Sequence, residues 1–192
     1  VPNLPIQVEC AKQSERVSFL IPHPVDGATV FAASEDVMRA GVAVGMSLYQ
    51  ARQIAPTAQI VEPDETAYYA RHDALRTALQ AFSLAVETVG LGEFVLDVRG
   101  LERAHGNDKA LAVALLDAAR AVGSLAVKIG MASGKFTAQQ AARQAPLNGA
   151  WVVPAGEEFI CLSPLPITVL PNLPGEMLRR LTLLDLRTLG DL

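Results

Sequence analysis

Cysteine, tryptophan and positive charge are all scarce in this 192-residue sequence. It has two cysteines, one tryptophan and 5% aromatic residues. Cys10 and Cys161 lack the paired spacing of a zinc site or a disulfide framework, so both are expected to be reduced and structural. No apolar run reaches the length that crosses a bilayer and no secretory leader pattern is present. A soluble, cytoplasmic setting with no membrane partner is therefore expected. Sixteen Lys and Arg face twenty Asp and Glu, giving a net charge of −4 and a pI near 5.4. Strong sequence-independent DNA binding needs Lys and Arg to displace counterions, so these residues alone predict weak DNA binding. Repeats and low-complexity tracts are absent too. What the sequence does have is a 51% hydrophobic share, enough for a real core. Its length suits one large domain, or one domain and the beginning of another. It opens at Val1 and stops within "RTLGDL", and the expectation is a piece of a longer protein.

Periodicity gives an alternating α/β order. A helix over about 6–16 precedes strands "VSFLI" and "ATVFAA". Short helices follow near 34–40 and 47–55. A long helix from about Asp64 to Phe82 carries Leu75, Leu79 and Phe82 at helical spacing. Two strands, a helix over about 108–122, strand "SLAVKIGMA", a helix over about 135–145 and strand "AWVVP" complete the pattern. From "LSPLPITVLPNLPG" onward prolines cluster, and two short helices begin near Gly175 and Thr188. That shift marks a domain boundary with a helical module after it.

The stretch "VETVGLGEFVLDVRG" reads as two strands around a tight turn, with Gly90 and Gly92 as breakers. Glu93 and Asp97 follow the turn. Paired carboxylates at a strand turn suit a divalent cation, which needs fixed oxygen ligands. The tip itself, Gly-Leu-Gly, carries no acid. Solvated strand-end acids are the alternative reading of this pair.

The words "RAGVAVGMSLYQARQIAP", "VEPDETAYY", "LGEFVLDVRG", "IGMASGKFTAQQAA", "LNGAWVVPAGEEFICLSPLPI" and "LRTLGDL" occur in that order. Together they resemble the catalytic core of Y-family translesion DNA polymerases, the group of UmuC and DNA polymerase IV. The resemblance runs across nearly the whole chain. It implies an α/β (α+β) fold: a palm with a mixed sheet and packed helices, a small fingers insertion and a helix-hairpin-helix thumb. Palm is expected over 1–33 and 64–162, fingers over 34–63 and the start of the thumb over 163–192. The little-finger domain of the family has no counterpart in this sequence.

Such polymerases work by two-metal phosphoryl transfer. The resemblance sets Gly92 at the metal-bridging aspartate and Glu93 at its companion glutamate, with Asp97 just beyond. Pro2 falls at the leading aspartate of the first acidic motif, where "VPNLPIQVE" has no acid before Glu9. Glu35 and Met38 fall at the Tyr and Arg that hold the triphosphate, and Gln139 at a phosphate-binding lysine. Lys135 matches an earlier lysine. In the thumb, Asn172, Leu173 and Pro174 replace a Gly-apolar-Gly turn, and proline has no N–H to offer a phosphate. Arg179 and Arg180 remain as candidate DNA contacts, with a helix-surface charge pair as the equal alternative.

This pattern of losses is similar to the ImuB-like branch of the family. It implies a noncatalytic scaffold in SOS-type induced mutagenesis, in a bacterial, nucleoid-associated setting, without metal or cofactor. Its expected partners are a C-family error-prone DNA polymerase, an ImuA-like protein and the sliding clamp, bound mainly through regions outside this sequence. Two alternatives stay open. One is an active, divergent polymerase using Mg²⁺ on Glu93, Asp97 and acids upstream of Val1. The other is a protein-binding module outside DNA repair.

Overall fold

The computed structural model describes residues 1–13, 17–123 and 125–192, and the chain separates into two compact units. The first comprises Val1–Asp97 and Ala118–Ala126, the second Val98–Asp117 and Val127–Leu192.

In the first unit, helix α1 (Leu4–Lys12) leads to strands β1 (Phe19–Pro22) and β2 (Val30–Ala33). These pair antiparallel, Leu20 opposite Ala33 and Ile21 opposite Ala32. A two-residue strand, β3 (Gln59–Ile60), adds to the other edge of β1 in parallel. Being central, β1 buries both faces, which is why "FLIP" is apolar throughout rather than alternating. Leu20 faces a core with Val30, Ala33, Val37, Val42, Ala51 and Ala58. Phe19 and Ile21 face the opposite way with Ala32, against Ile6 and Val61. Helices α2 (Glu35–Arg39) and α3 (Leu48–Ile54) supply Val37 and Ala51. Residues 34–63, read from the sequence as a fingers insertion, thus share a core with the first two strands.

Helix α4 (Glu65–Gln80) starts where the Asp64 carboxylate accepts the Ala67 N–H at 3.0 Å, an N-cap. Tyr68, His72, Leu75 and Leu79 form its buried stripe at helical spacing. Strands β4 (Val86–Gly90) and β5 (Glu93–Leu96) form an antiparallel hairpin, with Gly90 opposite Glu93 across the two-residue turn Leu91–Gly92.

The second unit holds the short helix α5 (Glu102–His105) and most of α6 (Asp108–Ala121). A βαβ element follows: β6 (Lys128–Met131), α7 (Lys135–Gln144) and β7 (Gly149–Val152), with the strands parallel. Ala141, Val153 and Cys161 form its core with Ala132 and Trp151. A Cβ at Gly130 would lie 2.1 Å from the Ala138 carbonyl and 2.2 Å from the Ala142 nitrogen. Only glycine lets α7 approach β6 this closely. Helix α8 (Glu158–Leu162), a 3₁₀ turn at Ile167–Val169, helix α9 (Gly175–Leu183) and a 3₁₀ turn at Leu189–Asp191 close the chain.

The mixed α/β class matches the expectation, with differences in detail. Instead of one mixed palm sheet, the described strands form three separate sheets of three, two and two strands. The first helix ends at Lys12, and the part expected over 14–16 lies outside the described residues. Strand "SLAVKIGMA" contracts to Lys128–Met131, and its first residue, Ser124, also lies outside them. The helix expected at Thr188 is a single 3₁₀ turn with a Thr188–Asp191 capping box.

Candidate active site

The hairpin turn between β4 and β5 is where the sequence puts the acidic pair, and the structure separates the two acids. Glu93 opens β5 beside the turn, whereas Asp97 lies just past its far end. Four residues of strand span about 13 Å. Asp97 is held at that end by its N–H bond to the Ala85 carbonyl, so the expected Glu93–Asp97 pair at the turn is not there. Glu93 is exposed.

The tip residue Gly92 is buried, with a left-handed φ of +77°. Its N–H donates to His72 Nδ1 at 3.0 Å, and its carbonyl accepts from the Val1 nitrogen at 2.8 Å. A Cβ there would meet Leu4 Cβ at 3.0 Å, the Val1 carbonyl at 3.2 Å and Leu4 Cδ2 at 3.3 Å. Leu4, the first residue of α1, is wholly buried. Pro2, the position matched to the leading aspartate, is half-buried and offers its carbonyl to the Gln7 side chain at 2.7 Å.

The buried and half-buried polar side chains of α1 and α4 have partners, His72 at this tip and the others along the two helices. His72 stacks on Phe94 with ring centroids 4.6 Å apart, and burial holds its pKa below the ordinary histidine value. Glu9 accepts from the Tyr68 hydroxyl at 2.8 Å and from Lys12 Nζ at 2.9 Å. Lys12 also reaches Asp64 at 2.7 Å, and this bond, with the Ala67 N–H, lowers the Asp64 pKa. Burial, reinforced by the Glu9 carboxylate, raises the Tyr68 pKa. Gln7 spends its amide on backbone, donating to Ala126 at 3.1 Å and accepting from it at 2.6 Å. Sequence reasoning passed over His72 and Gln7. The available signal was polar residues inside an apolar stripe: Tyr68 and His72 fall in register with Leu75 and Leu79.

The positions matched to triphosphate ligands hold no cation. Glu35 and Met38 are exposed on α2, with Glu35 3.7 Å from Arg39. Gln139 is half-buried on α7, and Lys135 is exposed at the first position of that helix. In the last segment, Asn172 takes a left-handed φ of 56° and Pro174 is the N-cap of α9. Arg179 and Arg180 are exposed on α9 and flank Glu176 at 4.0 and 3.0 Å.

A pair of Mg²⁺ ions is what the resemblance implies for such a turn, and the residues present do not fit them. Position 92 has no side-chain donor atom, its carbonyl is taken by the Val1 nitrogen, and Leu4 fills the space ahead of it, which leaves Glu93 as the one acid in the turn sequence Gly90–Glu93. Among the described residues, no three His, Cys, Asp or Glu side chains come together in a way that could hold a metal ion. No described helix is long and apolar enough to cross a membrane.

The fold is that of the catalytic region of Y-family DNA polymerases. A Dbh DNA polymerase post-insertion binary complex superposes with a TM-score of 0.83 at 25% identity, over 99% of this chain and 57% of that one. A DinB family error-prone DNA polymerase from Sulfolobus solfataricus gives 0.79 at 26% identity, over 97% of this chain and 55% of the other. Residues 5–143 match the impB/mucB/samB family model, and the chain belongs to that family. DNA polymerase IV of Dehalococcoides mccartyi (strain 195) is 34% identical over 163 residues, 85% of this chain and 42% of the relative. DNA polymerase IV 2 of Mesorhizobium japonicum is 30% identical over 171 residues, 89% of this chain and 41% of the relative. The chain thus spans less than half the length of these curated relatives.

Proposed function

We propose that this protein is a noncatalytic Y-family polymerase-like adaptor in DNA-damage-induced translesion synthesis and mutagenesis, of the ImuB-like kind. One observation carries the reading: the tip where a bridging carboxylate belongs is a left-handed glycine with a buried leucine packed onto it. Two-metal phosphoryl transfer depends on carboxylates converging on both ions. The absence of a cation at positions 35, 38 and 139 adds to it, because triphosphate charge must be neutralised in the transition state. In this reading the protein uses no metal or cofactor. It is bacterial and associates with the nucleoid. It works with a C-family error-prone polymerase, an ImuA-like protein and the sliding clamp, chiefly through regions outside this chain.

Primer extension on a primed template with Mg²⁺ or Mn²⁺ tests the reading. No incorporation is expected. Template-dependent extension that Glu93→Ala abolishes would overturn it.

The relatives named DNA polymerase IV favour a second reading, an active but divergent polymerase holding Mg²⁺ with Glu93, Asp97 and acids upstream of Val1. The separation of Glu93 from Asp97 along β5 counts against it. The same assay on a chain extended upstream of Val1 discriminates the two.

A further inference from the structure

We propose that the Leu91–Gly92 turn has become a packing joint for helix α1, so that position 92 is closed to any side chain and the turn cannot return to metal binding by one substitution. This goes beyond the noncatalytic reading, which requires only that ligands be missing. Here the vacated position is occupied and used.

Both peptide groups of Gly92 are committed, the N–H to His72 and the carbonyl to Val1. The side-chain direction is blocked by Leu4 at 3.0 and 3.3 Å and by the Val1 carbonyl at 3.2 Å. Cβ contacts of that length force a neighbour to move, and Leu4, with no exposed surface, has no free side to move into. The backbone at φ +77° adds a second barrier, since L-residues with a side chain avoid that region. His72 is in turn held flat against Phe94 on the adjoining strand. The N-terminal helix, the turn, α4 and β5 therefore meet at one residue without a side chain. A carboxylate placed there displaces Leu4 or twists the turn, and either change loosens the joint before any ion arrives.

Thermal melts of the purified protein test this with Gly92→Ala, Gly92→Asp, Leu4→Ala and the Leu4→Ala/Gly92→Ala pair, alongside Mn²⁺ binding read by electron paramagnetic resonance. Gly92→Ala is expected to lower Tm by about 4 °C or more. Leu4→Ala is expected to lower it as well, and the pair to lose less than the two losses added, because the shortened side chain removes the Cδ2 contact and leaves residue 4, which keeps its Cβ, room to draw back from the new one. Gly92→Asp is expected to melt lower than the parent and to bind no more Mn²⁺ than the parent does. Additive losses in the alanine cycle would overturn the joint, as would a Gly92→Asp protein of parental stability or one with a new Mn²⁺ site. Should Gly92→Asp fail to fold, the alanine cycle alone decides between coupling and additivity. None of these readouts depends on polymerisation. Primer extension by the parent protein would remove the noncatalytic reading and leave these outcomes to be judged by themselves.

Discussion

The Tyr68 hydroxyl donates to the buried Glu9 carboxylate at 2.8 Å, joining the first helix to α4 across 59 residues of sequence. Glu9 is only 4% exposed, so this bond and the one from Lys12 are what make its burial tolerable. Tyr68→Phe is expected to cost about 1.5–3 kcal/mol, the range for a hydrogen bond to a charged group. Lys12→Met is expected to cost less, under about 1 kcal/mol, because Lys12 and its second partner Asp64 are 43% and 42% exposed and Glu9 keeps the bond from the Tyr68 hydroxyl. Urea unfolding of the two variants checks the order. A larger loss for Lys12→Met would show that the ion pair, not the hydroxyl, secures Glu9.

His72 gives the protein a defined acid sensitivity. Its folded pKa is lowered by burial, so the unfolded chain binds a proton more readily than the folded one. The contribution of neutral His72 is complete above about pH 6.5, the unfolded value, and is lost as pH falls from there toward the folded pKa. Protonation also turns Nδ1 from acceptor to donor and breaks the bond from Gly92. Asp73 opposes the shift and Arg76 reinforces it. Stability measured from pH 8 to 5 is expected to fall across this window, and His72→Gln to flatten that part of the curve. An unchanged slope in the variant would assign the effect to other groups.

Gly130→Ala is expected to be among the most damaging single substitutions in the βαβ element. The new methyl would sit 2.1 Å from a helix carbonyl, and backbone cannot yield as a side-chain end does. A loss of about 3 kcal/mol, the upper end for overpacking, is the expected result in chemical denaturation. Gly41→Ala provides the contrast: it meets nothing within 4 Å and tests the strain of positive φ alone.

Much of the architecture was legible from local pattern. Leu75 and Leu79 at helical spacing marked α4, and Gly90 and Gly92 between apolar runs marked the hairpin. Phe82, read into that helix, lies just past its C-cap at Ala81. What escaped was short or dependent on distant partners. Strand β3 is two exposed residues, with no periodicity to find, and exists only because β1 presents a free edge. Helices α5 and α8 are four and five residues long. The change at position 92 could be read from the hairpin word, but Leu4 as its occupant could not, since 88 positions separate them and only the folded chain brings them together.

DNA contact by this chain is expected to be weak and confined to one part of it. The unit of Val98–Asp117 and Val127–Leu192 carries nine basic and eight acidic residues, against seven and twelve in the other. Fluorescence anisotropy on primed DNA near 150 mM salt is expected to give a Kd no tighter than about 10⁻⁵ M. Replacing Arg179 and Arg180 with Glu is expected to weaken that binding further, and charge reversal of Arg39 and Arg52 to leave it unchanged. Submicromolar binding by the parent chain would show a true DNA clamp.

The side-chain amide of Gln7 faces the backbone of Ala126 as a neighbouring strand residue would, giving and taking one hydrogen bond each. These partners are 119 residues apart, and the other anchors of the same helix span 91 and 59. A nine-residue helix with no side-chain N-cap cannot persist alone in water. Its docking closes three long loops and must wait for α4, the hairpin and the segment at Ala126 to be in place. Helix α1 is thereby expected to be among the last elements of its unit to acquire structure, and its docking to be a high-contact-order step that slows folding.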